Sequence, residues 1–328
     1  MKQLLSSTAH FLRSDKTAVR RLIQYLFFAA TVYIGIRFYF YLSALQAGDM
    51  SAVKPGGVEA FLPISALMGL KRFVFSGNYD MIHPAGLTLL IVFLLISIIF
   101  KRGFCGYICP IGLISETIGS AGRNIKIHRF IAYPLSSLKY LLLGFFVYII
   151  LIQMSLPAIE GFLNAPYNKV SDAKMMRFFT EPSRTTLMVL AVLLILGLLF
   201  RNFWCRFLCP YGALMGLVSL VSPFKIKREK DACVNCMKCT NICPMDIQVH
   251  KAGTVHSPEC IGCHDCVRVR ANDECLKTYK SDYRSLTLAV FAVFWISIAA
   301  ATLTGFWRSE VSSGEYLFWL ERLGQLSH

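Results

Sequence analysis

The sequence predicts an α-helical integral membrane protein of five transmembrane helices with a parallel internal repeat, joined to one small, cysteine-rich α+β domain. Three observations predict it. Of 328 residues, 55% are apolar, and they gather in runs near the length that crosses a bilayer. Residues 100–114 (FKRGFCGYICPIGLI) and 200–214 (FRNFWCRFLCPYGAL) repeat one pattern, an apolar run, two cysteines four apart and then proline, a good opener of helices. Residues 224–284 are hydrophilic and hold eight of the twelve cysteines.

In chain order, residues 1–21 read as a basic amphipathic leader, too long and polar for a signal peptide, with Arg13, Lys16, Arg20 and Arg21 set to meet anionic headgroups. Residues 22–42 are the first span. Arg37 lies within a turn or two of its far end, where anchoring by snorkelling outweighs a functional role. Pro55, Gly56 and Gly57 break the loop 43–82, and its semi-apolar piece 60–75 is too short to span and suits the outer surface. His83 opens the second span, 83–100, either as a quinol ligand and proton acceptor or, more commonly for such a residue, as a capping or packing side chain. Spans three, four and five cover 138–156, 185–203 and 285–307. The domains are then the leader, a four-helix membrane domain with two elbows (22–223), a soluble domain (224–284), and a fifth helix with a short outer tail (285–328). Each half of the membrane domain is an up-and-back helix pair ending in Cys-x3-Cys-Pro on one side, a parallel repeat about the membrane normal.

Charge orients the chain. Segments 1–21, 101–139 and 201–284 hold 24 Lys plus Arg against 10 acids, whereas 43–82, 157–184 and 308–328 hold 9 against 9. Basic residues mark cytoplasmic loops, so the cysteine side and the N-terminus face the cytoplasm and the C-terminus the periplasm of a bacterial inner membrane. The net charge of +15 is thereby a matter of topology and bilayer contact, and nucleic acid is not expected as a partner. A reducing compartment turns twelve cysteines toward metal sites rather than disulfides.

Cys233-x2-Cys236-x2-Cys239-x3-Cys243-Pro244 is the bacterial ferredoxin run, in which three thiolates hold one 4Fe-4S cluster and the fourth reaches its neighbour. Structural zinc rarely uses three cysteines at successive x2 spacings. The second run, Cys260, Cys263 and Cys266, has Arg270 where a fourth cysteine would stand, and the next is Cys275. Crossed ligation assigns Cys233, Cys236, Cys239 and Cys275 to one cluster and Cys260, Cys263, Cys266 and Cys243 to the other. The insertion leaves open whether Cys275 reaches. The elbow cysteines Cys105, Cys109, Cys205 and Cys209 either supply a third 4Fe-4S cluster at the N-termini of two helices or stay as free or redox-active dithiols, with copper or haem as outside options. Phe104, Tyr107, Phe203, Trp204 and Phe207 either line a quinone headgroup or form an interfacial aromatic belt.

Two Cys-x3-Cys-Pro elbows after transmembrane helices, together with a two-cluster ferredoxin domain, resemble the membrane polyferredoxins of the NapH, NosR and CcoG type. The irregular second run, with its late Cys275, is more similar to the C-terminal part of the NosR type. That type's flavin domain has no counterpart ahead of the first span, where only 21 residues stand. The resemblance implies electron exchange with the quinone pool and with a periplasmic reductase or its redox partner, any flavin or haem belonging to partner proteins. Two functions follow: an electron-transfer subunit linking quinol or a cytoplasmic donor to an extracytoplasmic reductase, or a maturation or regulatory factor, for example one that reduces copper. The first would be part of a quinol-dehydrogenase-type oxidoreductase rather than a stand-alone enzyme, with no catalytic residue of its own.

Overall fold

The computed structural model describes residues 16–271, 274–278 and 283–325. Arg13 and the start of the leader lie outside the described residues. The main helices in chain order are α1 (Lys16–Gln46), α2 (Pro63–Ser76), α3 (Pro84–Phe100), α4 (Pro110–Ala121), α5 (Arg129–Val147), α6 (Leu156–Asn164), α7 (Ser171–Thr180), α8 (Arg184–Leu199), α9 (Pro210–Val218), α10 (Lys238–Ile242), α11 (Asp265–Arg268), α12 (Tyr283–Leu303) and α13 (Ser313–Glu321). Strands β1 (Ile226–Arg228) and β2 (Leu276–Thr278) form one antiparallel pair. Prolines open α2, α3, α4, α6 and α9, where the missing N–H would have had no partner.

Among the described residues three helices are long and apolar enough to cross a bilayer: Val19–Gln46, Phe130–Gln153 and Ser285–Leu303. Helices α7 and α8, bent by 73° at their break, make a fourth if the pair counts as one span. By helix length the described residues thus support three or four of the five expected spans. The second span is clipped between Pro84 and Lys101, whose φ of 62° ends α3 at 17 residues, about 26 Å. Large apolar side chains of α1, α5, α8 and α12 lie exposed, among them Phe40, Leu141, Met188 and Ile296, as lipid-facing surfaces require. The chain is a membrane protein, mostly helical.

The residues fall into two compact units. The first comprises Met1–Ala29, Phe93–Leu141 and Leu193–Phe294, and holds every cysteine. Here α1 corrects the leader. The helix runs unbroken from Lys16, and Arg20, expected at headgroups, is 1% exposed. Its guanidinium bonds Glu116 at 2.7 Å, Asp265 at 3.3 Å and the Gly106 carbonyl at 3.1 Å. A buried arginine is retained only with such partners.

The second unit comprises Ala30–Val92, Leu142–Val192 and Trp295–His328. Phe38, Tyr41 and Leu45 of α1 pack with Val170, Ala173, Tyr316 and Leu320. Lys54 bridges buried Glu59 (3.1 Å) and Asp172 (2.6 Å), and Tyr316 donates to Asp172 at 2.6 Å. His83 is a packing histidine: its Nε2 meets the Asn168 carbonyl at 2.6 Å and its Nδ1 faces Glu59 at 3.3 Å. Residues 60–75 largely become α2, whose Lys71 donates to the carbonyls of Ile150, Leu151 and Met154, closing the end of the third span. Arg37 is exposed and bonds Tyr33 one turn earlier, in keeping with an anchor.

Candidate metal centre

The two elbows share one backbone design. Each is a single turn of π-helix, Phe104–Ile108 and Trp204–Leu208, in which the amides of Cys109 and Cys209 reach back five residues to the carbonyls of Phe104 and Trp204, both at 3.0 Å. Pro110 and Pro210 then open α4 and α9, leaving Cys109 and Cys209 at the N-cap positions. The Gly212 N–H donates to Cys209 Sγ at 3.2 Å, and the Gly112 N–H acts likewise on Cys109. The four thiols are brought within electrostatic reach of one another: Cys109 senses Cys105, Cys205 and Cys209, and Cys205 senses Cys105 and Cys209. Burial pushes Cys205 up to about 12 and Cys109 well above the ordinary thiol value. Metal binding displaces the protons of thiols raised in this way.

The soluble module repeats a second design. In Cys233–Cys239 the residues Asn235 and Met237 are left-handed (φ 52° and 57°), and in Cys260–Cys266 so are Gly262 and His264 (φ 64° and 59°). Both pairs stand two and four residues after the first cysteine. In each run the N–H of the first left-handed residue donates to that cysteine's sulfur. Left-handed residues interleaved in this way turn backbone amides into an anion-binding concavity.

Strand register sets the position of Cys275. Arg228 pairs with Leu276, and the Glu229 N–H bonds the Cys275 carbonyl at 2.9 Å, which sets Cys275 beside the first run. Arg270 fastens the returning loop through the Leu276 carbonyl at 3.2 Å. Cys275 interacts with Cys233 and Cys239, and Cys239 with Cys233 and Cys236. Cys266 senses Cys260 and Cys243, and Cys263 senses Cys243 and Cys266. A small apolar cavity is lined by Cys243, Cys260, Cys263 and Cys266 together with Met245 and Ile261. A donor set of four thiols around an apolar cavity fits an iron–sulfur cluster. Among the described residues no three His, Cys, Asp or Glu converge closely enough for one metal ion, around which thiolates would sit about 4 Å apart.

Each elbow is stitched to the module at its own point. A β-carbon on Gly106 would stand under 3.0 Å from the Ile261 carbonyl, Tyr107 Oη donates to the Gly262 carbonyl at 2.9 Å, and the Arg102 N–H meets the Cys260 carbonyl at 3.4 Å. In the second elbow Asn202 donates to the Pro244 carbonyl at 3.2 Å and Arg206 pairs with Asp246 at 3.3 Å. Cys105, Cys205, Cys243 and Cys263 pack in one cluster with Met245 and Ile261. Exposure grades across the sets: residues 234–238 are exposed, Cys236 included, whereas residues 260–266 are all buried.

Sequence reasoning passed over the charges beside these sulfurs. Arg102, 1% exposed, bonds Glu259 at 3.0 Å and points Nη2 at Cys105 Sγ, 3.9 Å away. Buried Lys139 and half-buried Tyr140 hold the same carboxylate at 2.6 Å and 2.8 Å. Cations directly after an apolar run, and an acid directly before Cys260, were the available signals. Burial counts against the belt reading for four of the elbow aromatics. Phe104, Tyr107, Phe203 and Phe207 are buried in the core, Phe104 stacking on Phe93 at 3.9 Å, and Trp204 alone of the five is exposed.

Comparison with known proteins agrees with this geometry. A family described as "4Fe-4S binding domain" matches twice, over residues 82–128 and 185–229, and one described as "4Fe-4S dicluster domain" matches residues 225–269. YccM of Escherichia coli (strain K12), named for electron transport, is 37% identical over 335 aligned residues, covering 96% of this chain and 93% of that protein. The chain belongs to the NapH- and NosR-type membrane polyferredoxins. Within that family it is 29% identical to the ferredoxin-type protein NapH of Haemophilus influenzae, over 57% of this chain and 67% of that one. It is 28% identical to the regulatory protein NosR of Stutzerimonas stutzeri, over 54% of this chain and 24% of that one. The two identities are too alike to place it nearer NosR. No solved structure matches. Like its family, it is a 4Fe-4S protein of the membrane with a role in electron transfer.

Proposed function

We propose that the chain carries three 4Fe-4S clusters in series and moves electrons between the quinol pool or a cytoplasmic donor and an extracytoplasmic reductase or its redox partner. The observation that carries this reading is the convergence of the four elbow cysteines on one another, beside a module whose own cysteines gather around Cys233, Cys239 and Cys275 and around Cys243, Cys260 and Cys266. Cys233, Cys236, Cys239 and Cys275 would hold the outermost group. Cys243, Cys260, Cys263 and Cys266 would hold the next, and Cys105, Cys109, Cys205 and Cys209 the last. A bound 4Fe-4S cluster supplies one-electron transfer with little rearrangement. The residues around it exclude water and aim N–H groups at the ligand sulfurs, which favours the reduced charge.

A topology of five spans, with 22–223 as the membrane domain and 224–284 as the cytoplasmic module, is supported by charge. The second unit contains all three segments of balanced charge, and the first contains those with the basic excess. The twofold match of one family over 82–128 and 185–229 supports a parallel repeat, and the near-identical elbow turns support it too. The relatives named as ferredoxin-type proteins, NapH and MauN, favour electron transfer in a membrane complex with partners that could carry flavin or haem. Adding a reduced quinone analogue to the anaerobic, oxidised chain tests the donor. Rapid loss of visible iron–sulfur absorbance assigns the quinol pool. Bleaching only by a soluble low-potential donor assigns the cytoplasmic side, and bleaching by neither refutes the relay.

A further inference from the structure

We propose that Arg102 is the built-in counter-charge of the four-cysteine elbow set and raises that set's affinity for an electron. The inference rests on the reading of Cys105, Cys109, Cys205 and Cys209 as ligands of one cluster. The guanidinium is 1% exposed and reaches both elbows at once. Its Nη2 lies 3.9 Å from Cys105 Sγ in the first. In the second, a β-carbon on Gly212 would stand 2.6 Å from the same Nη2 and 3.5 Å from Cys209 Sγ.

The room for it is cut into α9. Gly212 and Gly216 lie one turn apart, and a β-carbon on Gly216 would come within 3.5 Å of Arg102 Cδ, so two missing side chains make the groove along which the arginine lies. Arg102 Nε is buried without a hydrogen-bond partner, an orphan donor on a guanidinium that acts on Cys105, Cys205 and Cys209. An arginine cannot shed its charge, so it is permanent. Arg102, Lys139 and Glu259 together leave one positive charge against the thiolates.

The repeat supplies only one such residue. Position 202 of the second elbow is asparagine, and its amide turns to the Pro244 carbonyl and Met245 Sδ instead. A net buried positive charge a few ångströms from a centre that gains negative charge on reduction stabilises the reduced form.

The experiment is an EPR-monitored potential titration of the full-length chain, purified anaerobically, as wild type, Arg102→Gln and Arg102→Lys, with iron counted in each. At the wild-type midpoint, Arg102→Gln should show at least a tenfold lower ratio of reduced to oxidised elbow centre, equivalent to about 59 mV for one electron. Arg102→Lys should stay within about threefold of wild type. An unchanged midpoint in Arg102→Gln, with the centre present, overturns the role of Arg102 alone. Iron for only two clusters in the wild type overturns the elbow reading and this inference with it. Loss of the centre in Arg102→Gln but not in Arg102→Lys supports the charge requirement, whereas loss in both makes Arg102 a packing residue and overturns the proposal.

Discussion

Gly106 and Ile261 touch so closely that a β-carbon on the glycine would clash with the isoleucine carbonyl. The first elbow therefore lies directly on the second cysteine run, and no other residue type fits between them. The equivalent position in the second elbow is Arg206, which instead reaches Asp246. The repeat is thus broken where the two elbows take different partners.

Gly106→Ala should loosen this junction while leaving the module's own sets intact. The expected result is unchanged iron content, weaker magnetic interaction between the elbow and module centres in EPR, and a thermal unfolding midpoint lowered by several degrees. Overpacking of this kind costs about 1–3 kcal/mol. A midpoint and spectrum equal to wild type would show that the contact does not join the two parts.

Cys275→Ser should act on the first set and spare the second. Because register places Cys275 beside Cys233 and the β1–β2 pair is short, the variant should lose the signal of the exposed centre, with a fall of about four iron atoms per chain. Retention of all iron would mean that Cys275 is not a ligand.

Arg20→Met leaves Glu116 and Asp265 facing each other with no buried cation between them. Removing one partner of a buried ion pair costs about 3–5 kcal/mol. Thermal unfolding should report a large loss of stability, and the double variant Arg20→Met with Glu116→Gln should recover part of it. No loss in the single variant would mean that Arg20 meets headgroups after all.

The second unit should be acid-sensitive. Burial alone would raise the Glu59 carboxyl, but Lys54 and His83 outweigh burial and hold it below its ordinary value of 4.5. A depressed carboxylate contributes stability that is complete above its unfolded value and lost as pH falls through its folded value. The unfolding midpoint should therefore be level from pH 7 to about 5 with respect to this group, and fall below about 4.5. Lys54→Met removes the main opposing charge and should shrink that fall, because a carboxylate held less far below 4.5 gives up less stability when it is protonated. A fall of unchanged size would exclude the network as its cause.

The cysteine runs were legible because their spacing itself encodes the ligand pattern, and the doubled elbow because one phrase occurs twice. The reach of Cys275 was not legible, since it depends on pairing Ile226–Arg228 with a strand some fifty residues away. What stops the second and fourth spans was not legible, because apolar composition does not show where Lys101 or Asn202 turns left-handed. Arg20 was misread for a related reason. A basic residue near an N-terminus carries a local signal for headgroups, while its true partners stand 96 and 245 residues further on.

Iron and acid-labile sulfide per chain, with EPR, on anaerobically purified wild type and on the Cys105→Ser, Cys205→Ser double variant, test the three-cluster relay most directly. The relay predicts about twelve of each in the wild type and about eight in the variant, with one EPR signal gone. About eight in both, with the four elbow thiols open to alkylation in the wild type, would contradict it.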